Sequence, residues 1–478
     1  MAKRWDLIIR IDKLLKKPIF QQIAEEIIRH ISYGRLKPGS VLPGTRTLAD
    51  QLKLNRNTVT EAYSELASQG WIESKKGKGS FISHSLVTDS LVLKRQPPNS
   101  KGKLSSIATS KSALILDDGS PDSRLFPMQE FARAFGRVSR RLGNSVYTRV
   151  PSAKGSERLR IELAEMLNSR RALSVDEDRL LITRGSQHGI FLVGHVLGKE
   201  SGAAVAVESP GYVPAWDAFQ EAGLRIVEVP VDEEGIDVES LERSLKKGLK
   251  ISALYVTPHH QFPTTVTLKA DRRLKLLELS DRFNFWVIED DYDHDFHFDS
   301  KPVLPLASMS ARSKIIYISS LSKLVTPGVR LGYLSAPSEF LNQLIRIRTI
   351  IDRTGDPILE ETIAELLVEG EIQRHANKMR SVYKFRRDEF AKRLLQKAPI
   401  HVEFQIPAGG MALWLKFPAR ITYDPFVTSM RNQGVVPIDR SLFHKMVSMP
   451  IHGTRIGFAS LNDKEIELAS SAVAKALK

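Results

Sequence analysis

The chain of 478 residues contains no cysteine. That excludes disulfides, thiolate metal ligands, iron–sulfur clusters and a cysteine nucleophile, and it fits a reducing compartment. No apolar run approaches the roughly 18 residues that a membrane helix requires. The opening residues, Met1 to Lys13, hold no apolar stretch before a small-residue cleavage site, so a secretory signal is not expected. No internal repeat is visible. What is present is ordinary globular material, 42% hydrophobic and 26% charged, enough for roughly two to four domains with a large core. The expectation is a soluble cytoplasmic protein.

Charge is unevenly placed. The formal net charge is +15, of which residues 1–83 carry +7, residues 84–112 carry +4 and residues 113–478 carry +4. Less than a quarter of the chain therefore holds most of the excess, a field that attracts a polyanion. A solvated basic surface would carry the same charge.

Residues 18–83 read as a small helical unit with a hairpin. Ile19, Ile23, Ile27, Ile28 and Ile31 recur at helical spacing. Tyr33-Gly34 and Pro38-Gly39 stop the helix and turn the chain. A second helix is expected over Thr45–Leu52 and a third over Arg56–Ser68, capped by Asn55, with Val59, Ala62, Tyr63 and Leu66 on one face. Trp71–Glu73 and Ser80–Ile82 flank a basic, glycine-containing turn, the pattern of a hairpin. Three helices and a hairpin suggest a winged helix-turn-helix. Arg56, Asn57 and Thr58 open the third helix, where free N–H groups suit phosphate contact and base reading. Lys75, Lys76 and Lys78 would set the wing on a phosphate backbone or minor groove. The residues alone leave a helical interaction module with a basic loop open. The segment from Pro18 to Ser83, with GRLKPG, LPGTR, NRNTV and GKGSF, resembles the GntR-type winged-helix domain. The resemblance implies DNA contacts from Arg46, Arg56, Asn57, Thr58 and Gly77 or Gly79, beside the wing residues Lys75 and Lys78.

Residues 84–112 lack periodicity and are rich in Ser and Lys, and they are expected to form a flexible linker. From residue 113 onward strand-like runs alternate with helix-like stretches, which argues for a mostly parallel sheet covered on both faces. Strands are expected at Leu180–Thr183, Ala203–Val207, Ile226–Val229, Ile251–Thr257, Phe285–Ile288, Ile315–Ser319 and Leu331–Leu334. Helices are expected at Ser186–Leu197, Ala270–Phe283, 338–351 and 357–396. Residues 398–478 read as a small α+β subdomain. The organisation expected is thus 1–83, a DNA-binding domain; 84–112, a linker; and 113–478, an effector domain.

Polar residues gather at the expected strand ends, where open α/β sheets bind ligands. They include Arg184-Gly185-Ser186-Gln187, Glu208–Tyr212, Glu289–Tyr292, Ser320–Lys323 and Arg330. These residue types meet the needs of pyridoxal 5′-phosphate: a lysine amine for its aldehyde, an arginine, hydroxyls and free N–H groups for its phosphate, a buried carboxylate for its ring nitrogen and an aromatic face for its ring. Asp290–Asp295, with His294 and His297, fits either a metal site or a polar strand end, and no metal is assigned.

The order of these elements resembles fold-type I aminotransferases, and their union with a GntR unit resembles the MocR/GabR subfamily of GntR regulators. GSPDSRLFP, ITRGSQHGI, VESPGY, VTPHHQFPTT, IEDDYDHDF, SSLSKLVTPGVRLGY and TRIGFA carry the resemblance over about residues 115–470. It implies that Lys323 holds the cofactor as an internal aldimine, that Asp290 pairs with the ring nitrogen, that Tyr292 faces the ring hydroxyl and that Tyr212 stacks on the ring. Gly185, Ser186, Gln187, Ser320, Ser322 and Arg330 would surround the phosphate. Arg455 would clamp an effector carboxylate. Thr265 replaces a frequent glycine after HQFP, which puts that turn in question and with it any cofactor contact by Gln261. Pro214 stands near where GABA-sensing members have an arginine, so GABA is not favoured.

The reading is a pyridoxal-phosphate-dependent transcriptional regulator that senses a small amino compound, or the cofactor itself. The resemblance implies a homodimer with exchanged domain contacts. The alternative is a working aminotransferase with an accessory DNA-binding unit. A cofactor-free regulator is disfavoured by Lys323, Asp290, Tyr292 and Arg330.

Overall fold

The computed structural model describes residues 9, 11–12, 17–32, 34–75, 79–84, 113–144, 152–299, 303–309, 314–398, 403–418, 420–445 and 452–478. The chain divides into two units, Met1–Ala108 and Thr109–Lys478. The expected linker, save His84, lies outside the described residues.

In the first unit α1 (Ile19–Ser32), α2 (Thr45–Leu52) and α3 (Arg56–Ser68) precede an antiparallel hairpin of β1 (Ile72–Lys75) and β2 (Gly79–Ile82). The apolar residues of α1 and α3 that share a helical face form one core with Leu42, Leu48, Ile72 and Ile82. Asn55 caps α3 as expected, its side chain accepting from Asn57 N–H at 2.8 Å. Tyr63 donates to the Pro43 carbonyl at 2.8 Å and so ties α3 to the loop that opens α2.

The second unit holds an eight-stranded sheet in the order β4-β11-β10-β9-β8-β5-β6-β7. Its strands are β4 (Leu180–Thr183), β5 (Ala204–Ser209), β6 (Arg225–Asp232), β7 (Gly235–Ile236), β8 (Ala253–Val256), β9 (Trp286–Asp290), β10 (Ile315–Ser320) and β11 (Gly332–Ser335). A two-stranded pair of β3 (Leu114–Ile115) and β14 (Val435–Val436) and a three-stranded sheet of β12 (Glu403–Phe404), β13 (Ala412–Lys416) and β15 (Gly453–Gly457) complete the strands. Pairing is parallel from β6 through β5, β8 and β9 to β10. Alternate residues sort to two faces: Val205 and Val207 join one core, Ala206 another. Burial on both faces explains why these strands read as continuous apolar runs.

β11 is antiparallel to both β10 and β4. Its beginning therefore lies beside the ends of its two neighbours, with Gly332 opposite Ser320 and Thr183. That reversal brings Arg330 to the edge where the parallel strands finish. Gly332 fits there because a Cβ would stand 2.7 Å from the Gly185 carbonyl carbon.

The expected long helix over 357–396 is two helices, Pro357–Val368 and Glu371–Lys397. Gly370, at φ +72°, separates them, a left-handed conformation that ends a helix.

Candidate functional site

A cavity opens at the sheet edge and is lined by Lys323, Asp290, Tyr292, Tyr212 and Ser186 together with Asp118, Tyr255, Thr257 and Phe262. Each of the first five was singled out in the sequence. The other four were not.

Lys323 follows β10. Its Nζ donates to Asp118 Oδ1 at 3.1 Å and to the Gly119 carbonyl at 2.9 Å. Burial acts to raise the Asp118 carboxyl, but Lys323 and then Arg455 outweigh it and hold its pKa below the ordinary value. Asp290 ends β9 and is wholly buried. Tyr255 on β8 donates to its Oδ2 at 2.8 Å, whereas Oδ1 has no partner among the described residues. Burial pushes Asp290 up to about 7, against the Tyr255 hydrogen bond and with help from Asp291 and Asp293. The phenol of Tyr292 donates to the His260 carbonyl at 3.0 Å. Tyr212 stands edge-on to Phe262, their centroids 5.2 Å apart.

Groups suited to an anion gather at the start of helix Ser186–Leu197. Gly185 precedes it at φ +76°, and among the described residues no side chain caps the helix. The Arg330 guanidinium packs over Gly185, where a Cβ would meet it at 3.0 Å. Ser320 Oγ accepts from Ser322 N–H at 3.1 Å, and the buried Ser322 Oγ has no partner among the described residues. Gln187 spends its amide N–H on the Pro214 carbonyl at 2.7 Å. Gln261 also turns inward: it donates to the Pro210 carbonyl at 2.8 Å and accepts from Thr264 Oγ1 at 2.6 Å. The turn forms with Thr265 itself in the left-handed region, at φ +64°.

These free groups fit pyridoxal 5′-phosphate. Asp290 Oδ1 is a buried acceptor awaiting a donor, the Ser186–Leu197 helix start and Arg330 suit a phosphate, and Lys323 offers the amine.

Arg455, on β15, is 1% exposed. It donates to the carbonyls of Asp118 at 2.7 Å and Pro263 at 3.1 Å and to the Tyr292 hydroxyl at 3.3 Å. Its guanidinium also covers the Phe262 ring at 4.9 Å. It thus reaches residues that line the cavity.

His294 and His297 separate in space. His294 faces the Asp291 carbonyl at 3.0 Å, while His297 joins His259 and His260. Burial, then the neighbouring His260, lowers the pKa of His259. Burial first, then His260, takes His297 down to about 3.

In the first unit Arg46, Arg56 and Asn57 are exposed and Thr58 is half-buried. Gly79, at φ +96°, opens β2, and among the described residues a Cβ there would meet nothing within 4 Å. Gly77 and Lys78 lie outside the described residues, as does the side chain of Lys75.

A winged-helix unit that carries basic and polar groups at its third helix, joined to an α/β unit with a lysine in a sheet-edge cavity, defines a DNA-binding protein built on an aminotransferase fold. The chain belongs to the family described as aminotransferase class I and II, over residues 116–473, and residues 19–82 match the bacterial regulatory proteins of the gntR family. It is 26% identical over 467 residues to the probable rhizopine catabolism regulatory protein MocR of Rhizobium meliloti, across 95% of this chain and 92% of that protein. It is 31% identical over 366 residues to the pyridoxine biosynthesis transcriptional regulator PdxR of Corynebacterium glutamicum, across 77% of this chain and 76% of that protein. The α-aminoadipate aminotransferase LysN of Thermus thermophilus, solved with N-(5′-phosphopyridoxyl)-L-leucine, superposes with a TM-score of 0.70 at 28% identity, covering 77% of this chain and 93% of that one. The chain is a DNA-binding transcriptional regulator of the MocR/GabR type that binds pyridoxal phosphate. These relatives favour that reading over an aminotransferase with an accessory DNA-binding unit. Among the described residues no helix is long and apolar enough to cross a membrane.

Proposed function

We propose that residues 1–83 read an operator as part of a homodimer with exchanged domain contacts, in the cytoplasm. Residues 113–478 hold the cofactor on Lys323 and report an amine-bearing effector, or the cofactor itself, to the DNA-binding unit. The observation that carries this is the Lys323 amine, held by Asp118 and the Gly119 carbonyl in a cavity that also presents the unpartnered Asp290 Oδ1. When bound, the cofactor supplies a carbon that exchanges one amine for another. Asp290 accepts the ring N–H and holds its proton. Tyr212 and Phe262 wall the ring in, and the Ser186–Leu197 helix start with Ser320, Ser322 and Arg330 takes the phosphate. Lys323 would hold the cofactor, and Asp118 and the Gly119 carbonyl would take its amine whenever that amine is free, so the loop that carries them would register which amine the cofactor holds. Arg46, Arg56, Asn57 and Thr58, with the wing residues Lys75, Gly77, Lys78 and Gly79, form the DNA-contacting face.

Reduction of the purified, cofactor-loaded protein with borohydride, followed by peptide mapping, should place the pyridoxyl mass on Lys323. Footprinting in parallel should show a protected operator whose affinity changes about 5–150-fold on effector binding. An unmodified Lys323 in saturated protein removes the cofactor assignment. No protected site, with or without cofactor, removes the operator-reading proposal.

A further inference from the structure

Three imidazoles meet beside the cofactor cavity without lining it. His259 and His260 follow β8, and His297 follows β9 and bridges to Gly409. They are 3%, 4% and 7% exposed. One ring nitrogen from each lies within 4.8 Å of the other two.

The Nε2 atoms of His259 and His297 face each other in close contact. His259 Nδ1 lies 3.3 Å from the Arg171 guanidinium and 3.6 Å from Asp291 Oδ1, so a proton on Nδ1 has a carboxylate to face and Nε2 keeps its lone pair. His297 Nδ1 is buried with no partner among the described residues. A cation held between the rings would be bound by the two facing lone pairs, each ring carrying its proton on Nδ1.

The surroundings suit one. His260 Nδ1 is paired with Asp293 Oδ1 at 2.7 Å, which leaves its Nε2 free and supplies the carboxylate partner that ligating histidines commonly have. Asp293 Oδ2 is buried without a partner among the described residues. Arg171 is neutralised by Asp291 at 2.5 Å, whereas the ion pair recorded for Asp293 is with His260. The site thus combines nitrogen donors with an uncompensated negative charge.

We propose that His259, His260 and His297 form a divalent transition-metal site of the nitrogen-rich, tetrahedral class that zinc occupies. Water completes the coordination, with Asp293 orienting His260 from behind the ring. Zinc–nitrogen bonds are about 2.0–2.1 Å long, so binding would draw the three rings onto the ion. The metal would brace the turn that carries Phe262 and the His260 carbonyl, to which Tyr292 bonds, and so stiffen one wall of the cofactor cavity.

The test uses the full-length, cofactor-loaded protein after dialysis against a chelator. Calorimetric titration with Zn²⁺ should give one equivalent per chain, and Co²⁺ should produce the intense visible bands of a tetrahedral complex. Asp293→Asn should weaken binding by about 10–100-fold, and His259→Gln or His297→Gln should weaken it further. His195→Gln, elsewhere in the fold, should bind as wild type does. Circular dichroism and cofactor absorbance establish that each variant is folded. No uptake by the wild type, a weak octahedral Co²⁺ spectrum, or wild-type affinity in a folded His259 or His297 variant overturns the site. Should every variant unfold, the wild-type stoichiometry and Co²⁺ spectrum still decide.

Discussion

Glu289, Asp290 and Asp291 are consecutive carboxylates with three different environments. Glu289 accepts from the Leu306 and Ala307 N–H groups at 2.7 and 2.9 Å. Asp291 points to the opposite face from Asp290, as strand alternation requires, and pairs with Arg171 and Tyr317. Burial acts to raise Asp291, but Arg171, His294 and His259 overcome it and hold it far below the carboxylate range. Asp290 has a phenol and a free oxygen, so burial prevails. The difference has a measurable pH signature in cofactor-free protein. Burial raises Glu208, Glu289 and Asp290 to about 7. A carboxyl raised in the folded state stabilises it while protonated, and that stability is lost as pH rises through the folded value. Burial lowers His188, His259, His297 and His375, which opposes the trend only below the unfolded histidine value of about 6.5. The melting temperature should therefore fall as pH rises from about 6.5 to 7.5, with a shallower fall in Asp290→Asn. An equal slope in that variant would place the Asp290 proton elsewhere.

At the level of elements, the turn from Gln261 to Val266 replaces sequence chemistry with side-chain bracing. Gln261 N–H donates to the Val266 carbonyl at 2.8 Å and Thr265 N–H to the Gln261 carbonyl at 2.7 Å, while the Gln261 amide braces Thr264 and Pro210. The turn closes although Thr265, a β-branched residue, sits at positive φ, where a Cβ costs about 1–2 kcal/mol. Thr265→Gly should raise the unfolding free energy by up to about 1 kcal/mol, less than the strain because glycine also gains freedom when unfolded. Urea denaturation checks it; a loss of stability would mean that the threonine side chain contributes more than its strain costs. Much at this scale was legible. The periodicity of Arg56–Ser68, Ser186–Leu197 and Ala270–Phe283 marks helices whose limits the structure repeats, because each is closed by a cap or a glycine. β3 and β14 were not legible, since two residues carry no period. The break at Gly370 passed unseen because the apolar pattern continues across it. In the cavity, Lys323, Asp290 and Tyr292 announced themselves as polar residues ending apolar strands. Asp118 stands 205 residues from Lys323, and no local pattern reports such a pairing. Tyr255 lay hidden inside a fully buried strand, although a buried phenol needs a partner. The three histidines converge only once β8 and β9 lie side by side.

For the whole molecule the question is how a ligand in one unit alters DNA affinity in the other. A ligand shifts such an equilibrium only through unequal affinity for two states, so some contact must be made in one state and lost in the other. Arg455 is placed to make one. β15 pairs with β13 in the small subdomain, yet the Arg455 guanidinium reaches Asp118, Pro263 and Tyr292, residues in three separate segments. Among the described residues its hydrogen bonds go to two main-chain carbonyls and a phenol, and none goes to a carboxylate. The competing account is a purely structural tie, since both carbonyls accept from the arginine. The two differ in outcome. If Arg455 meets an effector carboxylate with its planar fork, Arg455→Ala should retain the cofactor and basal operator binding and lose about 2–5 kcal/mol of effector affinity. Arg455→Lys, which keeps the charge but not the fork, should recover part of it. If Arg455 is only a tie, both variants should lower the melting temperature and leave the effector concentration for half-response unchanged. Operator binding across an effector titration, with cofactor absorbance followed in the same samples, separates them. A variant that still responds at the wild-type concentration would turn the search toward effectors without a carboxylate, with pyridoxal phosphate itself the first to test.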